Sequence, residues 1–245
     1  FSYATGRPMV KQAQDQIIDQ ILNQFENQKA TLLAPVVKGR KGHYRELFVQ
    51  IAKLGYTKVR VDNKVQEIKT KAEQLPKDIN WHLIGHLQTN KVKYIAPFVH
   101  LIQSVDSLNL AYEINKQGQK QQRVIPILLQ MFIAAETNKF GFSEEELLDH
   151  LDIDAFEGLK NIRICGLMGM ATYTPNKILI KTEFGGLKAF YDKVKATYFI
   201  NDPHFNILSM GMSGDYDIAI EEGSNLIRVG SAIFGERDYS KKAIK

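Results

Sequence analysis

Along the chain, short apolar runs rich in β-branched residues alternate with stretches in which apolar residues recur every three or four positions. The first pattern suits strands buried on both faces, and the second puts one apolar stripe on a helix. Residues 12–28 carry such a stripe, with Ile17, Ile18, Ile21, Leu22 and Phe25 on one helix face. Eight strands are predicted after it, over 31–37, 58–61, 81–84, 100–104, 124–131, 162–168, 206–209 and 226–229. Helical patterns fall between them at 44–54, 64–75, 107–117, 144–151, 182–196 and 215–222. Regular alternation without a long Pro- or Ser-rich linker predicts parallel strands joined by crossover helices. Eight strands in 245 residues favour closure over an open sheet. The expected fold is a single α/β domain spanning 1–245, a (βα)8 TIM-type barrel with an extra N-terminal helix.

Composition narrows the function classes. With 44% hydrophobic and 24% charged residues, the chain is an ordinary globule with enough length for a sizeable core. The single cysteine, Cys165, excludes an intrachain disulfide framework and a Cys-rich zinc site, and it fits a reducing cytoplasm. No apolar run approaches the ~18 residues of a membrane span, so no membrane partner is expected. The chain opens on Phe1 rather than Met, as a fragment or a trimmed start would, and no signal pattern follows. Lys and Arg total 32 against 27 Asp and Glu, a net +5 that falls short of a nucleic-acid signature. The densest basic cluster is Lys38-Gly39-Arg40-Lys41, with Lys241, Lys242 and Lys245 at the tail.

In a barrel of this kind, chemistry sits where strands end and helices begin. Two of those ends are Gly/Ser-rich: Ser209-Met210-Gly211-Met212-Ser213-Gly214 after the seventh strand, and Arg228-Val229-Gly230-Ser231 after the eighth. Turns of this composition offer backbone N–H groups and hydroxyls to an anion such as phosphate. Equally, Ser213 can simply N-cap the next helix while the glycines make tight turns. No G-x-x-x-x-G-K-[ST] occurs, so the stretch does not match a P-loop.

Long stretches from Asn63 onward resemble the YggS/PROSC family of pyridoxal-phosphate homeostasis proteins, single-domain relatives of the alanine racemase barrel. The matching residues include Asn63-Lys64-Val65-Gln66-Glu67, Trp81-His82-Leu83-Ile84-Gly85-His86-Leu87-Gln88-Thr89-Asn90-Lys91, Ser104-Val105-Asp106-Ser107 and Lys139-Phe140-Gly141. They continue with Gly166-Leu167-Met168-Gly169-Met170-Ala171, the run from Leu208 to Asp215, and the run from Ile227 to Gly235. The resemblance implies pyridoxal 5'-phosphate as cofactor. It places Ser209, Gly211, Ser213, Gly230 and Ser231 by the phosphate and Arg228 at the pyridine nitrogen. Asn63, His82 and Met168 would line the ring. Read without the family, His82 is equally a satisfied core histidine and Met168 plain interior filling. A cationic guanidinium at the ring nitrogen disfavours its protonation and so mutes carbanion chemistry. The racemases that share this arrangement draw a second acid/base from an additional β domain. Cofactor carriage or homeostasis, with little or no turnover and no catalytic residue, is the expected role, in a cytoplasmic monomer without a nucleic-acid partner.

The first 62 residues depart from that family. They resemble a segment of the UvrA-type excinuclease ATPase subunit, through Ala4-Thr5-Gly6-Arg7-Pro8-Met9, the run Leu33-Ala34-Pro35-Val36-Val37-Lys38-Gly39-Arg40-Lys41-Gly42, and Val59-Arg60-Val61-Asp62. The chain therefore reads as a chimera with a seam at Asp62-Asn63, the graft supplying the first helix and strands one and two. This puts the cofactor lysine in question. The family's lysine position falls on Val37, and Lys38 follows one residue later, where a strand side chain faces the opposite way. A bulge at Pro35 would restore the facing of Lys38, and Lys41 is the reserve candidate. The alternatives are a nucleic-acid-binding or DNA-repair-associated module carried by the UvrA-like start, and a barrel that has lost covalent cofactor binding.

Overall fold

The computed structural model describes residues 58–60, 72–73, 78–134 and 140–230. The expected first helix and first strand, together with Lys38, Lys41, Asn63 and Ser231, lie outside those residues. Every described residue falls in one compact unit.

Seven strands form one sheet in sequence order, all neighbours parallel. They are β1 (Lys58–Arg60), β2 (Asn80–Leu83), β3 (Val99–Val105), β4 (Ile125–Met131), β5 (Ile162–Gly169), β6 (Ile207–Met212) and β7 (Leu226–Arg228). The connecting helices are α1 (Val92–Ile95), α2 (Leu108–Lys120), α3 (Glu144–Asp152), α4 (Lys177–Tyr198) and α5 (Tyr216–Glu221). The α/β class and parallel order match expectation. The described sheet has seven strands, and the predicted strand over 31–37 lies outside the described residues.

One helix runs longer than predicted. Its amphipathic stripe reads from Thr182, yet α4 begins at Lys177 because the Asn176 side chain accepts from the N–H groups of Ile178 and Leu179. That cap satisfies two donors that the helix itself cannot. Ser107 and Ser143 cap α2 and α3 in the same way, accepting from Leu110 and Glu146.

Strand alternation sorts the interior into two layers. Trp81, Ile102, Ile127, Leu167 and Leu208 point outward into a large apolar cluster with Ile114 of α2, Leu147 of α3 and Phe184, Leu187 and Phe190 of α4. Burying each large side chain of this layer contributes about 1.5–3 kcal/mol. A second, smaller cluster holds Leu101, Leu128, Cys165, Met168 and Leu226 on the opposite face. Two residues further along their strands, on that same face, stand Gln103, Gln130 and Arg228.

A bulge decides which way Met168 faces. Strand β5 pairs Ile164 with Ile127 and then Leu167 with Leu129, so β5 carries one extra residue. Gly166 absorbs it at φ +144, and a Cβ there would stand 1.8 Å from the Ile207 carbonyl oxygen. Cys165 and Met168, three residues apart, thereby share the inner face.

Candidate functional site

Four inner-face side chains form a continuous hydrogen-bonded chain. Arg228 of β7, 1% exposed, donates from Nη1 to Ser209 Oγ of β6 at 2.6 Å and from Nη2 to the Gly169 carbonyl at the end of β5 at 2.9 Å. Ser209 Oγ donates to Gln103 Oε1 of β3 at 2.8 Å, and Gln103 Nε2 lies 3.1 Å from His82 Nδ1 of β2. The His82 ring also stacks on His100, with centroids 5.5 Å apart.

This chain reports curvature. Strands β3 and β6 are three places apart, about 14 Å in a flat sheet. A Gln–Ser pair cannot span that gap, so the sheet must roll up and bring its inner side chains together. The concave face thus encloses a polar belt resting on the Leu101–Leu128–Met168 layer.

Beyond Ser209, the chain turns through Gly211, whose φ is +89 and whose Cβ would meet Ala219 Cβ at 2.6 Å. Asp215 Oδ1 accepts from the Met212 N–H at 2.5 Å and closes this turn. Burial chiefly raises the Asp215 carboxyl above the ordinary carboxylate range, with Asp217 adding to it, while the Met212 N–H and the Arg228 charge pull the other way. Ser213 Oγ accepts from the Gly230 N–H at 2.8 Å and ties the loop after β6 to the end of β7. Ser213 is therefore a loop clamp and not a helix cap; Asp215 occupies the N-cap position of α5. The Cβ side of Gly214 is open, with no atom within 4 Å.

A second cluster lies at the same strand ends. His86 Nδ1 pairs with Asp106 Oδ2 at 2.9 Å, and the Phe140 ring stacks on His86 at 4.1 Å. His86 and Asp106, with Gln88, Asn90 and Ser107, border a cleft of about 450 Å³. Among the described residues, no group of three His, Cys, Asp or Glu side chains is arranged to hold a metal, and no helix is long and apolar enough to cross a membrane.

The structure thus joins His82, Ser209 and Arg228 in one network and Ser213 with Gly230 in another. Met168 lies in the apolar layer beneath, and Gly211 links the two networks along β6. Two functional positions escaped sequence reading. Gln103 is fully buried at the centre of the belt, and an amide between Ile102 and Ser104 in an apolar strand was its only signal. Glu183, buried on α4, accepts from Thr172 N and Thr172 Oγ1 at 2.7 and 2.6 Å and pins the loop after β5.

Residues 12–87 match the family model of the UvrA interaction domain, a match that runs past Asp62 to Leu87. About three quarters of the chain is similar to curated pyridoxal phosphate homeostasis proteins, a stretch that overlaps the end of the residues matched by that model. The relative from Aquifex aeolicus is 40% identical over 183 residues, covering 74% of this chain and 78% of that protein. The one from Escherichia coli is 34% identical over 171 residues, 67% of this chain and 68% of that protein. Among solved structures, PipY of Synechococcus elongatus with PLP bound superposes with a TM-score of 0.72 at 26% identity, covering 90% of this chain and 99% of PipY. An alanine racemase from Clostridium difficile gives a TM-score of 0.67 at 15% identity over 94% of this chain and 61% of its own, a likeness of fold.

Proposed function

This chain belongs to the pyridoxal phosphate homeostasis protein family, and from that membership we propose that it binds pyridoxal 5'-phosphate on the concave face of its sheet. Its role is cofactor carriage or homeostasis with little or no turnover. One observation carries the reading: a buried guanidinium, Arg228, stands directly below a loop clamp built from Ser213 and Gly230. The donor set fits the group. Ser213, whose hydroxyl hydrogen is left to donate, would hold the phosphate where Gly214 leaves open space, with Gly211 and Gly230 shaping the loop around it, Arg228 would meet the ring nitrogen, and Met168 and His82 would line the ring. Ser209, expected at the phosphate, has its hydroxyl engaged with Arg228 and Gln103 and would instead support the guanidinium. Asn63 and Ser231 would complete the ring and phosphate surroundings, and Lys38, or Lys41 in its place, would attach the cofactor covalently. Residues 31–37 would supply the remaining strand and close the barrel as one domain over 1–245.

Bound pyridoxal phosphate supplies an electron sink whose strength depends on protonation of its ring nitrogen. Arg228 remains cationic at any physiological pH and works against that protonation. The chain's own groups would then anchor and orient the cofactor. Mixing the protein with cofactor, reducing with borohydride and mapping peptides should place a pyridoxyl group on Lys38. Absence of an adduct on either lysine refutes covalent attachment.

The UvrA interaction domain match over 12–87 supports a second reading, a nucleic-acid-binding or repair-associated module. It expects salt-dependent DNA affinity that weakens when Arg40 and Lys41 are neutralised. Affinity unchanged by those substitutions ends that reading.

A further inference from the structure

We propose that Gln103 is a positioning residue that, with Ser209, transmits the fixed donor character of Arg228 to His82 and holds that imidazole neutral with its proton on Nε2. Arg228 is the one member of the network whose hydrogen-bonding role is fixed. A guanidinium only donates, so Ser209 Oγ must accept at the 2.6 Å contact with Arg228. Ser209 is fully buried, and its hydroxyl hydrogen has Gln103 Oε1 at 2.8 Å as acceptor. That bond orients the Gln103 amide with its NH2 toward His82. An NH2 facing Nδ1 at 3.1 Å requires a lone pair there, so the ring proton sits on Nε2.

The reverse order is disfavoured at each step. Turning the Gln103 amide over would aim a second donor at Ser209 Oγ and leave the serine hydrogen buried facing an NH2 group. An unsatisfied buried hydroxyl costs about 1–3 kcal/mol. A proton on Nδ1 would set two donors against each other, and a second ring proton would in addition place another cation inside the network that already holds Arg228. His100, stacked on His82 from β3, is the other titratable ring against this imidazole. The relay therefore spans β7, β6, β3 and β2 and adds no second charge to Arg228 within this network.

This assignment rests on side-chain geometry and stands whether or not the cofactor reading does. Under that reading it has a consequence: the ring-lining imidazole meets the cofactor neutral, with Nε2–H as a donor.

The test is a long-range 1H–15N correlation on the full chain with 15N-labelled histidine, without added cofactor, with His82 identified by the signal lost in His82→Gln. Wild-type protein at pH 7 should show His82 with Nδ1 unprotonated and Nε2 protonated. Gln103→Glu, nearly isosteric, replaces the NH2 with an acceptor and should move the proton to Nδ1 or add a second one. A merely structural role for Gln103 would leave the tautomer where it was. Ser209→Ala frees the amide to turn and should give a mixture of tautomers, which keeps the test informative if Gln103→Glu folds poorly. His82 protonated on Nδ1, or doubly protonated, in the wild-type spectrum overturns the proposal.

Discussion

The two faces of the sheet use the same strands for different ends. Outward positions are apolar almost without interruption, and Ile102, Ile127, Leu167 and Leu208 share one apolar cluster with Phe184 and Leu187. On β3, β4, β6 and β7 the inward positions are apolar at Leu101, Leu128, Ile207 and Leu226 and turn polar two residues later at Gln103, Gln130, Ser209 and Arg228. On these four strands the step is the same two residues, so a change of level rather than a change of strand separates packing from chemistry. Stability is concentrated outside and specificity inside.

Substitutions should respect that division. The largest effect on folding is expected from Phe184→Ala on the outer face, a fully buried ring whose loss costs about 3–5 kcal/mol by denaturant unfolding. Cofactor affinity of the molecules that remain folded should not change. Arg228→Met on the inner face reverses the pattern. It removes charge-assisted hydrogen bonds worth about 1.5–3 kcal/mol, and cofactor affinity should fall about tenfold or more, with a smaller loss of stability than Phe184→Ala causes. Equal stability losses with no change in affinity would erase the contrast between the faces. Ser213→Ala, which leaves the Gly230 N–H without its acceptor, should cost only about 1 kcal/mol and weaken phosphate-dependent binding more than it weakens binding of pyridoxal.

The smallest expected effect is a pH dependence. Asp215 is raised in the folded protein, burial being the main cause, so the folded state holds its proton more tightly than the unfolded chain does. Stability then falls as pH rises from the unfolded carboxylate range through the raised folded value, and it recovers on acidification through that window. Asp215→Asn keeps an acceptor for the Met212 N–H and should flatten this part of the profile in thermal melts at stepped pH. A profile that does not change would mean that Asp215 titrates alike in both states.

Much of this architecture can be read in the sequence, for physical reasons visible in particular residues. Strand positions followed from apolar runs, and Arg228, Ser213 and Gly230 from their place at strand ends. Facing directions were harder. Met168 turns inward only because Gly166 takes an extra residue into β5, and a period of two cannot anticipate a bulge. Gln103 was missed because its role depends on β3 meeting β6 across the rolled sheet, a contact between residues 106 positions apart in the chain. The start of α4 was misplaced because a polar cap, Asn176, and not an apolar stripe, sets it.

Direct titration of the full chain with pyridoxal 5'-phosphate, followed by the change in cofactor absorbance and compared with Arg228→Met, bears most directly on the inner face as the cofactor site. Saturable binding at one site per chain, weakened about tenfold or more by Arg228→Met, is the predicted result. No saturable binding, or a titration that Arg228→Met leaves unchanged, would contradict it.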